Sequence, residues 1–354
     1  MKQINSISLG LAFAGCFLGA GYVSGQELWQ FFGAFGSNGI FGLALALAVM
    51  FTVVVIMLGL NRSTGFSDVD KLVVMWDIKA VRIAVTVLEL LFLFGVCAIM
   101  AAGVGALLYQ LFGLPVWVGS LALASVVAAL SLFGFSGMVK AFSATVPLLC
   151  GVTLVFGIAT VCNNGISFAA EETGNNPLMG SWFIAALSFA CYNLFGSIAM
   201  IAPLGQHLKS RSTALFGTLI GVAILLVIAG SVLCCVSSSP EYLSAELPML
   251  ALADSMGTVP GLIYGLLLLL AMFGTSLSSL VGFVNMLSLK SDRIKNNRVV
   301  FTVICAAAFF GGSLFGFGDL ISVLYPIFGY CSSVFIVLMA IHYVRMKKNA
   351  KAEA

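Results

Sequence analysis

The stretch Phe17-Leu18-Gly19-Ala20-Gly21-Tyr22-Val23-Ser24-Gly25-Gln26-Glu27 places glycines and a carboxylate in the middle of an otherwise apolar run, from about residue 5 to 35. The run is long enough to cross a bilayer, which takes ~20 residues as a helix. A continuous helix loses about 1 kcal/mol for each glycine relative to alanine. A carboxylate inside such a run is also costly, so by default it marks a functional site. The sequence therefore asks this helix to unwind near its middle. The competing reading is that the small residues only let neighbouring helices approach.

Outward from this stretch the chain stays apolar. Of 354 residues, 61% are apolar and 8% charged, against ~25% charged in an average soluble domain. The runs 40–60, 83–112 and 259–289 hold one charge or none. They are continuously apolar rather than alternating, which selects helices over a transmembrane β-barrel. The net charge of +3 is small and scattered and gives no reason to expect nucleic acid.

Polar interruptions divide the chain into expected spans near 5–35, 39–60, 80–111, 115–133, 140–162, 180–208, 213–236, 259–288, 298–316 and 320–343. Loop charge tests that division, because cytoplasmic loops collect Lys and Arg. With the amino terminus inside, all 16 basic residues, from Lys2 through Arg62, Lys79, Lys140 and Lys290 to Lys351, fall on one side. Glu171, Glu172, Glu241, Glu246, Asp254 and Asp319 fall on the other. A miscounted span scatters the later charges onto both sides. The expectation is one transmembrane domain over 1–354, embedded in a lipid bilayer, with both termini cytoplasmic.

A second unusual place lies in the sixth span, Cys191-Tyr192-Asn193-Leu194-Phe195-Gly196-Ser197, followed by Pro203. The two candidate breaks hold corresponding positions in halves of five spans, about 5–162 and 180–343. Five spans reverse the topology between halves, as an inverted repeat with broken helices requires.

Enzymatic chemistry finds little footing. The 2 histidines, His207 and His342, sit near cytoplasmic span ends and outside any metal-ligand spacing. No Gly-x-Ser-x-Gly elbow, phosphate loop or His-Glu-x-x-His motif occurs. Most of the 9 cysteines lie in apolar runs and none forms Cys-x-x-Cys, so they read as small core residues. Phe13-Ala14-Gly15-Cys16 is similar to a lipoprotein cleavage site, but the residues after Cys16 continue a membrane pattern.

The first-span sequence Gly19 to Glu27 resembles the signature of the YkvI-like family of bacterial membrane proteins. More broadly, the chain resembles the amino acid, polyamine and organocation transporter superfamily, whose members share the LeuT-type fold. That resemblance implies an all-α, ten-span inverted repeat with helices one and six broken, in a bacterial cytoplasmic membrane. It implies that backbone at Gly19, Ala20 and Gly21, with Ser24 and Gln26 close by, meets a solute. Tyr192, Asn193, Phe195 and Gly196 would form the other wall. It places a sodium site between Gly19 and the span-eight residues Thr275, Ser276, Ser278 and Ser279, although such hydroxyls also bond to their own helix carbonyls. The implied function is secondary active transport of a small organic solute, an amino acid or related amine, driven by sodium or protons with no other cofactor. The alternatives are a solute sensor of the same fold, similar to spore-germination receptor subunits, and then a channel.

Two acids fall inside spans. Glu27 follows the first break and is expected to share an inward face with Gln26 and Gln30. It reads as a proton carrier, a ligand for a cationic solute or ion, or a cap for the new half-helix. Glu89 lies seven residues after Arg82 on one helix face and reads equally as a coupling residue or as a snorkelling or salt-bridged structural carboxylate.

Overall fold

The structure, a computed structural model, describes residues 4–65, 69–73, 78–132, 138–165 and 176–352. Lys2, Glu171 and Glu172 lie outside them. The described chain is helical: α1 (Ser6–Phe17), α2 (Ala20–Ser24), α3 (Gln26–Phe31), α4 (Ser37–Thr64), α5 (Val69–Val73), α6 (Lys79–Phe112), α7 (Val116–Leu132) and α8 (Met138–Asn164). The rest comprises α9 (Trp182–Ile201), α10 (Arg211–Ser237), α11 (Pro248–Ser255), α12 (Thr258–Lys290), α13 (Asp292–Asn296), α14 (Arg298–Ser313) and α15 (Phe317–Ala352).

Local sequence sets several boundaries. Asn5 opens α1 by accepting the Ser8 amide at 2.8 Å, and Ser210 opens α10 by accepting that of Thr213 at 3.1 Å. Each satisfies an N–H that the first turn leaves unpaired. The same device at Ser181, which accepts from Ile184, opens α9. Gly113, at φ 66, closes α6 in the left-handed region that side chains avoid.

Six helices, Ser37–Thr64, Lys79–Phe112, Val146–Asn163, Arg211–Ser237, Thr258–Ser288 and Phe317–Lys348, are long and apolar enough to cross a membrane. Shorter apolar helices, Ser6–Phe17, Val116–Leu132, Trp182–Ile198 and Arg298–Ser313, occupy the other places expected of spans. Large apolar side chains such as Phe41, Val155, Val259 and Val337 point outward, where lipid rather than water is the fitting solvent. This is an all-α membrane protein.

The helices pack in a pattern that repeats across the chain. α1 lies on α10 as α9 lies on α4, and α1 on α8 as α9 on α15. Likewise α6 meets α7 and α12 meets α14, while α14 crosses to α6 as α7 crosses to α12. The α6–α12 pair joins these sets at the centre. An outer strap ties the segment before α9 to α15: Asn176 donates to the Ser322 carbonyl at 2.6 Å, and Tyr330 donates to that of Leu178.

Candidate functional site

The first helix breaks where its sequence asks. α1 stops at Phe17, the Leu18 amide still reaches the Ala14 carbonyl at 3.0 Å, and Gly19 is extended at φ −79, ψ 174. α2 then runs for one turn, and Gly25, at φ 86, swings the chain into α3. The break is wired by side chains. Tyr264 of α12 donates to the Val23 carbonyl at 2.6 Å, and Tyr22 donates to the Leu225 carbonyl of α10 at 2.8 Å. Ser24 is buried; its hydroxyl donates to the Gly21 carbonyl at 3.1 Å and accepts the Gln26 amide at 3.3 Å. Gly19 differs from its neighbours. Leu18 and Ala20 are buried, whereas Gly19 is partly exposed, and no atom lies within 4 Å of where its Cβ would stand. The break leaves open space at Gly19.

Glu27, in the first turn of α3, is buried at 4% exposure. Tyr192 of α9 donates its hydroxyl to Glu27 Oε1, and Asn193 lies beside the same carboxylate. The other carboxylate oxygen fills the place where a Gly21 side chain would begin. Tyr192 stacks on Tyr325 of α15 with centroids 4.5 Å apart and an interplanar angle of 19°, and Phe31 and Phe189 close the aromatic wall. The first break, α9 and α15 thus converge on one carboxylate.

Gln26 and Gln30 look elsewhere. Gln30 donates to the Gly318 carbonyl at 3.3 Å, and Gln26 lies against the same glycine at the start of α15. Glu246, from the loop before α11, accepts the Gly318 amide at 2.6 Å and so caps α15. The shared face expected for Gln26, Glu27 and Gln30 is therefore split. Neighbouring helix positions differ by about 100°, so Glu27 turns to α9 while Gln26 and Gln30, one turn apart, meet α15.

The sixth-span break is corrected. α9 is continuous from Trp182 to Ile201, straight through Tyr192–Gly196, and gives way to a 3-10 turn only at Ala202–His207, which contains Pro203. Asn193 donates to the Phe189 carbonyl at 3.0 Å and Ser197 to that of Leu194 at 2.8 Å, both along the helix. Gly196 has no free space, because the ring of Phe92 from α6 occupies the position of its missing side chain. That glycine permits close packing. Phe195 is buried and stacks on Phe335 of α15 at 5.9 Å.

In α12 the Ser278 hydroxyl donates to the Thr275 carbonyl at 2.9 Å, and the Ser276 carbonyl accepts from Cys97 of α6 at 3.5 Å. Ser276 and Ser279 are buried, Thr275 half-buried. Glu89 is buried in α6, one turn from Thr86, whose hydroxyl donates to the Arg82 carbonyl at 3.1 Å.

Sequence reasoning singled out Glu27 and Tyr192 separately but not their bond. It missed Tyr22, Tyr264 and Tyr325, which wire or line the site. Their signal was a hydroxyl inside an apolar span, a group that seeks a partner once buried. Glu246 gave no local signal beyond its charge.

The broken first helix is held against α9, α10, α12 and α15, and solved structures of the LeuT fold superpose on nearly the whole chain. MhsT in complex with L-phenylalanine matches with a TM-score of 0.70 at 16% identity, covering 97% of this chain and 89% of that one. The substrate-bound, outward-open state of a Na+-coupled sialic acid symporter matches with a TM-score of 0.57 at 13% identity, covering 96% and 75%. The sequence relatives are the uncharacterised membrane protein YkvI and the uncharacterised protein YyaD of Bacillus subtilis (strain 168). They are 28% and 27% identical over 347 and 350 residues, each match covering 95% of this chain and 96% of the relative. No protein-family model matches the chain. The resemblance read from the first span is borne out, and so is the LeuT-type fold.

Proposed function

We propose that the protein is a secondary active transporter, moving a small organic solute, an amino acid or related amine, through a central site by alternating access. The observation that carries this reading is the carboxylate of Glu27, buried beside an open helix break and bonded to Tyr192 of α9. A buried acid at a backbone break is expensive to keep for structure alone. Backbone at Gly19, Ala20 and Gly21 forms one wall of the site. Tyr192 and Asn193 form the other, with Phe195 and Gly196 behind them. The amino acid held by MhsT supports a solute of that size.

The packing supports two inverted halves, about 5–162 and 180–343, within a single domain. Exchanging each helix for the one five spans later returns the α1–α10, α1–α8 and α6–α7 pairs as α9–α4, α9–α15 and α12–α14. Such halves rock against each other around a fixed site. Sodium is the first coupling ion to test, at Gly19, Thr275, Ser276, Ser278 and Ser279. Protons, carried by Glu27 or Glu89, are the second. The positive-inside pattern supports cytoplasmic termini in a bacterial cytoplasmic membrane, and resistance of a single cysteine at position 290 to outside labelling tests it.

Solute counterflow in proteoliposomes decides the function. Preloaded unlabelled solute drives uptake of labelled solute in a transporter. Saturable binding without counterflow returns the chain to the sensor reading, and non-saturating conductance to the channel.

A further inference from the structure

We infer that the connection between α12 and α14 holds the headgroup of an anionic phospholipid, whose acyl chains lie along the exposed face of α14. The inference rests on the membrane fold and not on the transport reading. The stretch from Lys290 to Arg298 carries Lys290, Arg293, Lys295 and Arg298 against Asp292 alone, a local charge of +3. Membrane insertion does not ask for that excess. The positive-inside rule counts Lys and Arg and is nearly indifferent to Asp and Glu. The connection 61–79, expected at the same end of the helix assembly, satisfies it with a balanced sequence: Arg62, Lys71 and Lys79 against Asp68, Asp70 and Asp77. The excess at 290–298 is therefore local, and its complement is an anionic surface.

The geometry favours a lipid over a soluble anion. Arg293 and Lys295 stand exposed on α13. Arg298, the first residue of α14, donates through Nη2 to Asn285 Oδ1 of α12 at 3.0 Å. That bond holds the guanidinium in place and uses one of its several donors. Directly beyond it Val299, Val300, Val303 and Ile304 form one stripe of α14, each more than half exposed, while Thr302, Cys305 and Phe309 turn inward. Ala308 and Gly311 continue the exposed stripe, and no atom lies within 4 Å of a Cβ added at Gly311, so a chain can lie close to the backbone there. A soluble phosphate meets the bases and leaves the stripe uncovered. A phospholipid meets both, its phosphate on the charged donors and its chains on the valines. The basic end of α15 provides the contrast, because Lys347 already lies over the ring of Tyr343 at 4.7 Å.

The test uses the purified full-length protein in detergent micelles doped with dioleoylphosphatidylglycerol or dioleoylphosphatidylcholine, which share their chains and differ in headgroup. Retained lipid is read by native mass spectrometry, and affinity from the rise in melting temperature with lipid concentration, since a ligand of the folded state stabilises it by mass action. The expected result is retention and stabilisation by phosphatidylglycerol, weakened by salt, and neither by phosphatidylcholine. Each base near an anionic surface contributes about fivefold in affinity, so Arg293→Gln with Lys295→Gln should weaken phosphatidylglycerol binding by roughly twentyfold. Lys347→Gln with Lys348→Gln makes the same change of charge and should weaken it by less than about threefold if place rather than net charge governs binding. Asn285→Ala alters no charge but frees Arg298, and should weaken binding by a few fold. Where the Arg293 and Lys295 double variant does not fold, Asn285→Ala decides, and unchanged affinity in it overturns the inference. Equal binding of the two lipids would overturn it as well. So would equal losses from the two double variants, which reduces the effect to net charge, or full displacement of the lipid by equimolar inorganic phosphate, which makes the place a site for a soluble anion.

Discussion

The first and sixth helices carry similar sequence and end differently. Each sets glycine among small and polar residues in an apolar run, yet the first opens at Leu18–Gly19 and α9 runs on through Gly196. The difference lies in what surrounds each glycine. Nothing lies within 4 Å of a side chain added at Gly19, whereas the Phe92 ring fills that place at Gly196. Polar residues follow suit. The Ser24 hydroxyl, besides donating back to Gly21, accepts the Gln26 amide across the kink, while Asn193 and Ser197 only donate back along the helix. Glycine permits both unwinding and close packing, and the neighbouring helix decides which occurs. The break also frees the half-helix α3 to lean on α15, a contact for which α9 and α8 show no comparable counterpart among the described residues.

The sharpest way to break this comparison is at Gly25, the hinge that the sixth helix lacks. At φ 86 an alanine is strained, and its Cβ would stand 2.7 Å from Val236 Cγ1. Backbone strain of about 1–2 kcal/mol and overpacking of about 1–3 kcal/mol combine into the largest expected loss. Gly25→Ala should lower the apparent melting temperature more than any other single glycine-to-alanine change considered below. A Gly25→Ala protein as stable as wild type would mean that the kink is not fixed by this packing.

Next comes Gly196, where a methyl group meets Phe92. Gly196→Ala should cost about 1–3 kcal/mol by overpacking, and Phe92→Leu should restore part of it by making room. Rescue is the informative measurement. If Gly196→Ala keeps full stability but alters solute exchange, α9 unwinds during transport after all, and the contrast with the first helix belongs to one state only.

The bond between the two helices gives a smaller effect on stability. Tyr192→Phe removes the hydroxyl that reaches Glu27 and leaves the ring stack with Tyr325 in place. Loss of a hydrogen bond to a buried acceptor costs about 1–2 kcal/mol. Thermal unfolding of Tyr192→Phe, Glu27→Gln and the double variant should therefore show coupling between the sites. Strictly additive effects would separate the tyrosine from the carboxylate.

These contrasts mark what could be read in advance. Helix positions were legible because apolar runs and their charged ends obey the bilayer, and the described helices lie close to the expected spans. The first break was legible to within a residue because Gly19, Gly21 and Gly25 cluster with polar side chains that a continuous apolar helix has no use for. The state of α9 was not, because the residue that settles it, Phe92, belongs to a different helix and leaves no trace near Gly196. The same holds for Glu27, whose position signalled importance while its partners Tyr192 and Tyr325 are brought to it only by folding. Glu246 is the extreme case: a loop acid caps α15 at Gly318, and no local pattern links the two.

The smallest expected effect on stability belongs to Gly19, and it is the most discriminating. Its φ of −79 and ψ of 174 suit any residue. With no atom within 4 Å of its would-be Cβ, a methyl group there displaces only whatever fills the opening. Gly19→Ala should therefore melt within about 0.5 kcal/mol of wild type, as substitutions away from packed features do. If the opening is the solute site, the same methyl narrows it, and counterflow should show weakened affinity for bulkier solutes with smaller ones least affected. Loss of stability would show that the space closes in the folded ensemble. Unchanged stability with unchanged solute preference would place the site away from the break, and the first helix would then be broken for a reason other than binding.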